Sequence, residues 1–162
     1  MDWNRLYELQ EILDNRIIET ISKSREDVQG DKYLALMVEI SELANETRCF
    51  KYWSQKGASE REVILEEYVD GIHFLLSIGI DYDYRFDQEK IDLCTYPTLT
   101  EAFHQVYDQI ARFKMDPTVT NYNRLMNEYL TVGDMLSFQT DEIVQAYLDK
   151  NEENHQRQSQ GY

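Results

Sequence analysis

Two short acidic patterns, Glu39-Ile-Ser-Glu42 and Glu67-Tyr-Val-Asp70, carry the residues best suited to chemistry in this chain. Residues three apart lie on one face of an α-helix, so each pattern can aim two carboxylates at the same point. An isolated pair of this kind is usually solvated surface charge. Here the context differs, because Glu39 and Glu42 border the stripe of Leu36, Ile40 and Leu43, and Glu67 borders Ile64, Gly71 and Leu75. Asp70 falls between the directions of Val63 and Phe74. Carboxylates beside a core are unfavourable unless cations or protons compensate them. Oxygen ligands without nearby His or Cys favour Mg²⁺, with Mn²⁺ as a substitute, and two such ions would roughly neutralise four carboxylates. That chemistry suits phosphoryl transfer to water, in which the ions meet the phosphates of a nucleotide. A di-iron site needs Glu-x-x-His spacing, and His73 stands six residues after Glu67.

The elements that must position these acids read as helices. Gly (6) and Pro (2) are too few to punctuate strands, and apolar residues recur three and four apart. A first helix is expected over about 3–23, with Leu6, Leu9, Leu13, Ile17 and Ile21 in line and Gly30 as the break after it. A second is expected from an Asp31 N-cap to about Phe50, and a third from a Ser59 N-cap, boxed by Glu62, to about Ile80. Residues 81–99 read as an irregular connection or a short helix. Three shorter helices are expected at about 99–114, 117–131 and 134–150, with Pro117 in a first turn and Gly133 between the last two. The polar stretch 151–162 reads as a tail. The fold class is all-α, an antiparallel helix bundle in one domain spanning 1–162.

Composition narrows the partners. With 31 acidic and 16 basic residues the formal charge is −15, which disfavours nucleic-acid phosphates and anionic membranes as partners. Cys49 and Cys94 lie outside any CxxC pattern, so neither disulfides nor zinc are expected and a reducing, cytoplasmic setting is. No stretch approaches a membrane span, and no basic leader precedes an apolar run.

ExxE on one helix followed by ExxD on the next resembles the signature of the all-α nucleoside triphosphate pyrophosphatases. Further stretches are similar to the dimeric deoxyuridine triphosphatase branch: LYELQEILDNRI over 6–17, the segment Asn45 to Ser54, Asp70-Gly-Ile-His73-Phe74, and the closing run from Tyr147 to Tyr162. The resemblance is good over 6–80 and 147–162 and weak between. It implies Mg-dependent hydrolysis of dUTP to dUMP and pyrophosphate by a homodimer. Glu39, Glu42, Glu67 and Asp70 would bind the metal, and Glu42 would act as base toward the attacking water. Gln10, Asp14 and His73 would approach the uracil, where Asp14 stands in place of the expected Asn. Lys51 and Trp53 would lie at an aromatic loop near the base. Lys150, Asn154 and Arg157, spaced i, i+4, i+7 with Asn151 beside them, would grip phosphates, and 151–162 would close over the substrate. The same chemistry on dCTP or a broader set of nucleotides is the nearest alternative. A non-catalytic helical module that binds a protein is the alternative of another class.

Overall fold

A computed structural model describes residues 1–161, and all of their regular structure is helical. In chain order the helices are α1 (Trp3–Ile21), α2 (Gln29–Thr47), α3 (Arg61–Asp81), α4 (Leu99–Met115), α5 (Val119–Met135) and α6 (Thr140–Ser159), with one 3₁₀ turn at Gln88–Lys90. The helix α3 is the axis of the bundle, touching α1, α2, α5 and α6. Its sequence explains that place. Leu75, Leu76, Ile78 and Ile80 are all buried, and a helix apolar around most of its circumference must be enclosed by others.

Tyrosines set the distance between α3 and α5. Tyr129 of α5 lies against Gly71, Tyr122 against Gly79, and Tyr68 of α3 against Gly133. The Tyr129 hydroxyl donates to the Tyr68 carbonyl at 2.8 Å and the Tyr122 hydroxyl to the Leu75 carbonyl at 3.0 Å. The rings of Tyr68 and Tyr129 stack at 4.8 Å. Gly133 therefore lies inside α5 and not between two helices as expected, because the Tyr68 ring occupies the space a Cβ would need.

Other boundaries also moved. Ser22 and Arg48, in left-handed conformation with φ of 55° and 57°, end α1 and α2, so α2 stops at Thr47 rather than near Phe50. Gly30 and Asp31 both fall within the first turn of α2, which starts after Val28. Ser59 is not the cap of α3. It reaches back to α2, its N–H donating to the Glu46 carbonyl at 3.0 Å and its hydroxyl to the Glu46 carboxylate, while Glu60 takes the N-cap position. That clasp fixes the register in which α2 and α3 face each other. Pro117 precedes α5, whose N-cap is Thr118, accepting from the Asn121 N–H at 3.3 Å. Residues 82–98 are held along α5 by a polar ladder four residues apart: Asn123, Asn127 and Thr131 accept from the N–H groups of Asp87, Asp92 and Cys94 at 2.8, 3.0 and 3.0 Å. The largest departure is α6, which continues through the polar tail to Ser159.

Candidate active site

The clasp at Glu46 brings the two acidic patterns together. One carboxylate oxygen from each of Glu39, Glu67 and Asp70 lies within 4.8 Å of the others. Crowding and partial burial make the charged forms unfavourable. Desolvation, then the neighbouring Asp70, Glu42 and Glu67, push the Glu39 carboxyl up to about 7. Glu67 is likewise pushed up to about 7, by desolvation and then by Glu42, Asp70 and Glu66. The Lys150 ammonium opposes these shifts, lying 2.9 Å from Asp70 and 2.7 Å from Glu66. Three convergent oxygen donors with a surplus of negative charge fit a hard divalent cation. Glu42 is exposed at the edge of this group, its charge acting on Glu39 and Glu67, and it is not among the three convergent carboxylates.

A cavity of about 500 Å³ opens beside the acids, lined by Glu39 and Asp70 together with Gln10, Asp14, His73, Lys150, Asn154 and Arg157. Eight of the residues singled out in the sequence thus share one cavity. Its wall holds a continuous hydrogen-bond chain. Ser77 Oγ donates to Asp14 Oδ2 at 2.7 Å, Gln10 Nε2 donates to Asp14 Oδ1 at 2.8 Å, and Gln10 Oε1 meets His73 Nδ1 at 2.7 Å and the Tyr147 hydroxyl at 2.9 Å. The His73 ring stacks on Tyr147 at 4.1 Å. Burial holds the imidazole down at about 3, with Lys150 adding to the effect and the Tyr147 backbone opposing it, so His73 is neutral near pH 7. Its Nε2 is buried and has no hydrogen-bond partner.

Behind Asp14 lies a buried ion-pair group. Asp81, whose side chain is 3% exposed, accepts from Arg25 at 2.8 Å and Lys32 at 2.6 Å, and the same two cations lie 3.4 and 3.9 Å from Asp14 Oδ2. Desolvation raises the Asp14 pKa, with Lys32, Ser77, Gln10 and Arg25 working against it.

The helical tail is latched across the cavity mouth. Arg16 of α1 donates to the His155 carbonyl at 3.0 Å and to Ser159 Oγ at 2.8 Å. Arg157 pairs with Glu153 at 2.6 Å, and Asn151 is buried one turn before His155, its Nδ2 without a partner.

A family model described as dUTPase matches residues 2–162. The chain belongs to the dUTPase family. It is accordingly a hydrolase acting on dUTP. No match is found among curated proteins. Of the residues that the family resemblance suggested, Lys51 and Trp53 stand apart from the cavity. They sit on the loop after α2, where Trp53 is 65% exposed and meets Phe50 and Tyr52 edge-on at 6.0 and 5.1 Å, and Lys51 donates to Asn45. Tyr162, the last residue of the closing run, lies outside the described residues.

Sequence reading did not single out Ser77, Asp81, Arg25 or Lys32. The first two had a signal: His73, Ser77 and Asp81 stand four apart, a polar line on an otherwise apolar helix. Arg25 and Lys32 had none, since their partners come from other elements. No helix of the described residues is long and apolar enough to cross a membrane.

Proposed function

We propose that this dUTPase-family protein hydrolyses dUTP to dUMP and pyrophosphate with Mg²⁺ held by Glu39, Glu67 and Asp70. The observation carrying the reading is the convergence of these three carboxylates within 4.8 Å, two of which, Glu39 and Asp70, line the cavity that also contains the Gln10 and His73 chain. Bound there, Mg²⁺ would polarise phosphate oxygens and favour ionisation of water. The chain supplies the rest. Glu42, exposed at the edge of the acids, orients the attacking water and takes its proton. Gln10 and His73 meet the polar edge of the base, whose alternation of carbonyl and N–H needs both acceptors and donors. Lys150 serves as a point charge on the phosphates, Arg157 as a fork, and Asn154 as a neutral donor. Asn151, whose buried Nδ2 has no hydrogen-bond partner, stands beside Lys150 as a further neutral donor. The helix α6 closes the cavity and excludes water from it. The exposed aromatic loop that carries Trp53 and Lys51, apart from the cavity as it stands, covers the base when dUTP binds, and the active protein is a homodimer in the cytoplasm.

The test is pyrophosphate release from dUTP, dCTP, dTTP and UTP, each with Mg²⁺ or chelator, beside Glu39→Gln. Selective, Mg-dependent turnover of dUTP that is lost in the variant is expected. Turnover unaffected by chelator, or intact in folded Glu39→Gln, refutes the assignment of the acids.

A further inference from the structure

Asp14 lines the cavity, yet both of its oxygens are committed to the protein. Oδ2 faces donors only: the Ser77 hydroxyl at 2.7 Å, Arg25 at 3.4 Å and Lys32 at 3.9 Å. Oδ1 accepts from Gln10 at 2.8 Å. We infer that Asp14 is a positioning residue, not a base contact, and that it sets the direction of the chain Asp14–Gln10–His73 and thereby the tautomer of His73. The inference rests on the proposed reading of this cavity as the dUTP site.

The direction of the chain depends on which groups can donate. Every polar neighbour of Asp14 is a donor and two of them are cations, so both of its oxygens act as acceptors. Gln10 must therefore turn its NH₂ to Asp14, which leaves Oε1 facing His73 Nδ1 at 2.7 Å and the Tyr147 hydroxyl at 2.9 Å. An amide oxygen opposite a ring nitrogen requires the proton on that nitrogen, so neutral His73 carries it on Nδ1. Nε2 is left as a lone-pair acceptor, and it is the buried ring nitrogen without a partner. A uracil edge carries an N–H between two carbonyls; a bare ring nitrogen pairs with the N–H and a protonated one with a carbonyl, so the tautomer sets which atom of that edge His73 can meet. Asp14 thus acts on the base through two other side chains.

The chain direction is measurable in the whole protein by long-range ¹H–¹⁵N correlation of the imidazoles. Wild-type His73 is expected to show a protonated Nδ1 and a bare Nε2. In Asp14→Asn the new side chain's oxygen is held by Ser77, Arg25 and Lys32, so its NH₂ faces Gln10. The Gln10 amide turns over, and the His73 proton moves to Nε2. Tyr147→Phe removes one donor to Gln10 Oε1 but leaves Asp14 in place, so its tautomer should remain that of the wild type. A wild-type proton on Nε2 overturns the inference whether or not Asp14→Asn folds. So does an unchanged tautomer in folded Asp14→Asn, or a switch in Tyr147→Phe. With dUTP, Asp14→Asn should raise KM by about 2- to 10-fold with kcat little changed, since it leaves the acids untouched and removes a match worth one hydrogen bond. A switched tautomer with unaltered KM would sink the link to the base. Absence of dUTP turnover in the wild type would sink the proposed function, while the spectra would still judge the chain.

Discussion

Replacing Gly71 by Ala should strike the bundle at its axis and the site with it. A Cβ there would lie 2.0 Å from Tyr129 Oη and 2.6 Å from its Cζ, against 3.4 Å for ordinary contact, so ring or helix must withdraw by about 1.4 Å. Tyr129 has nowhere to go. It is fully buried, stacked on Tyr68 at 4.8 Å, and its hydroxyl is fixed to the Tyr68 carbonyl at 2.8 Å. Overpacking of this kind costs about 1–3 kcal/mol, and losing a buried hydrogen bond about 1–3 kcal/mol more. The sum, roughly 2–6 kcal/mol, is a large part of a typical domain stability and corresponds to a fall in Tm of about 4–24 °C. Urea denaturation of Gly71→Ala beside Gly57→Ala measures it, since a Cβ at Gly57 would meet no atom within 4 Å and stability there should change by less than about 0.5 kcal/mol. Adding Tyr129→Phe removes the atom at 2.0 Å but leaves the one at 2.6 Å, so rescue should be partial. Because Gly71 directly follows Asp70, the folded variant should also lose turnover of dUTP. A loss of under about 1 kcal/mol would refute the reasoning, because it would mean that the α3–α5 spacing is not set by this contact.

Stability should fall with acid through His73. Its folded pKa, about 3, is depressed below the ordinary 6.5, so its contribution is complete above pH 6.5 and is lost as pH falls toward 3 while the unfolded chain takes up the proton. At pH 4 the loss is about 3 kcal/mol, and denaturation curves of His73→Gln should be flatter than wild type between pH 6.5 and 4 by that amount. Arg16→Ala releases the latch on α6; stability should change by less than about 1 kcal/mol because the contacts are partly exposed, but amide exchange over 154–159 should quicken and KM for dUTP rise. Trp53→Ala should leave stability within about 0.5 kcal/mol because the ring is largely exposed, while KM for dUTP rises in steady-state assays if the loop covers the base; an unchanged KM would remove Trp53 from the site.

The helical class and the meeting of Glu39 with Glu67 and Asp70 were legible in the sequence, because helical period and i, i+3 spacing are local properties that survive into the fold. Boundaries were less so. Gly30 and Gly133 look like breaks in a linear reading, yet one fits into a helical first turn and the other makes room for Tyr68, a residue 65 positions away whose arrival only packing determines. The tail after Lys150 is polar enough to pass for coil. Its helix is stabilised by contacts from elsewhere, Arg16 on His155 and Ser159 and Tyr147 on His73. Asp14 shows the division most clearly: in the sequence it stands four residues after Gln10 and resembles a base contact, but its surroundings are set by Ser77, Asp81, Arg25 and Lys32. Spacing along the chain determines which side chains share a face. Which donors surround a carboxylate, and so which way an amide must turn, is decided only when separate helices meet.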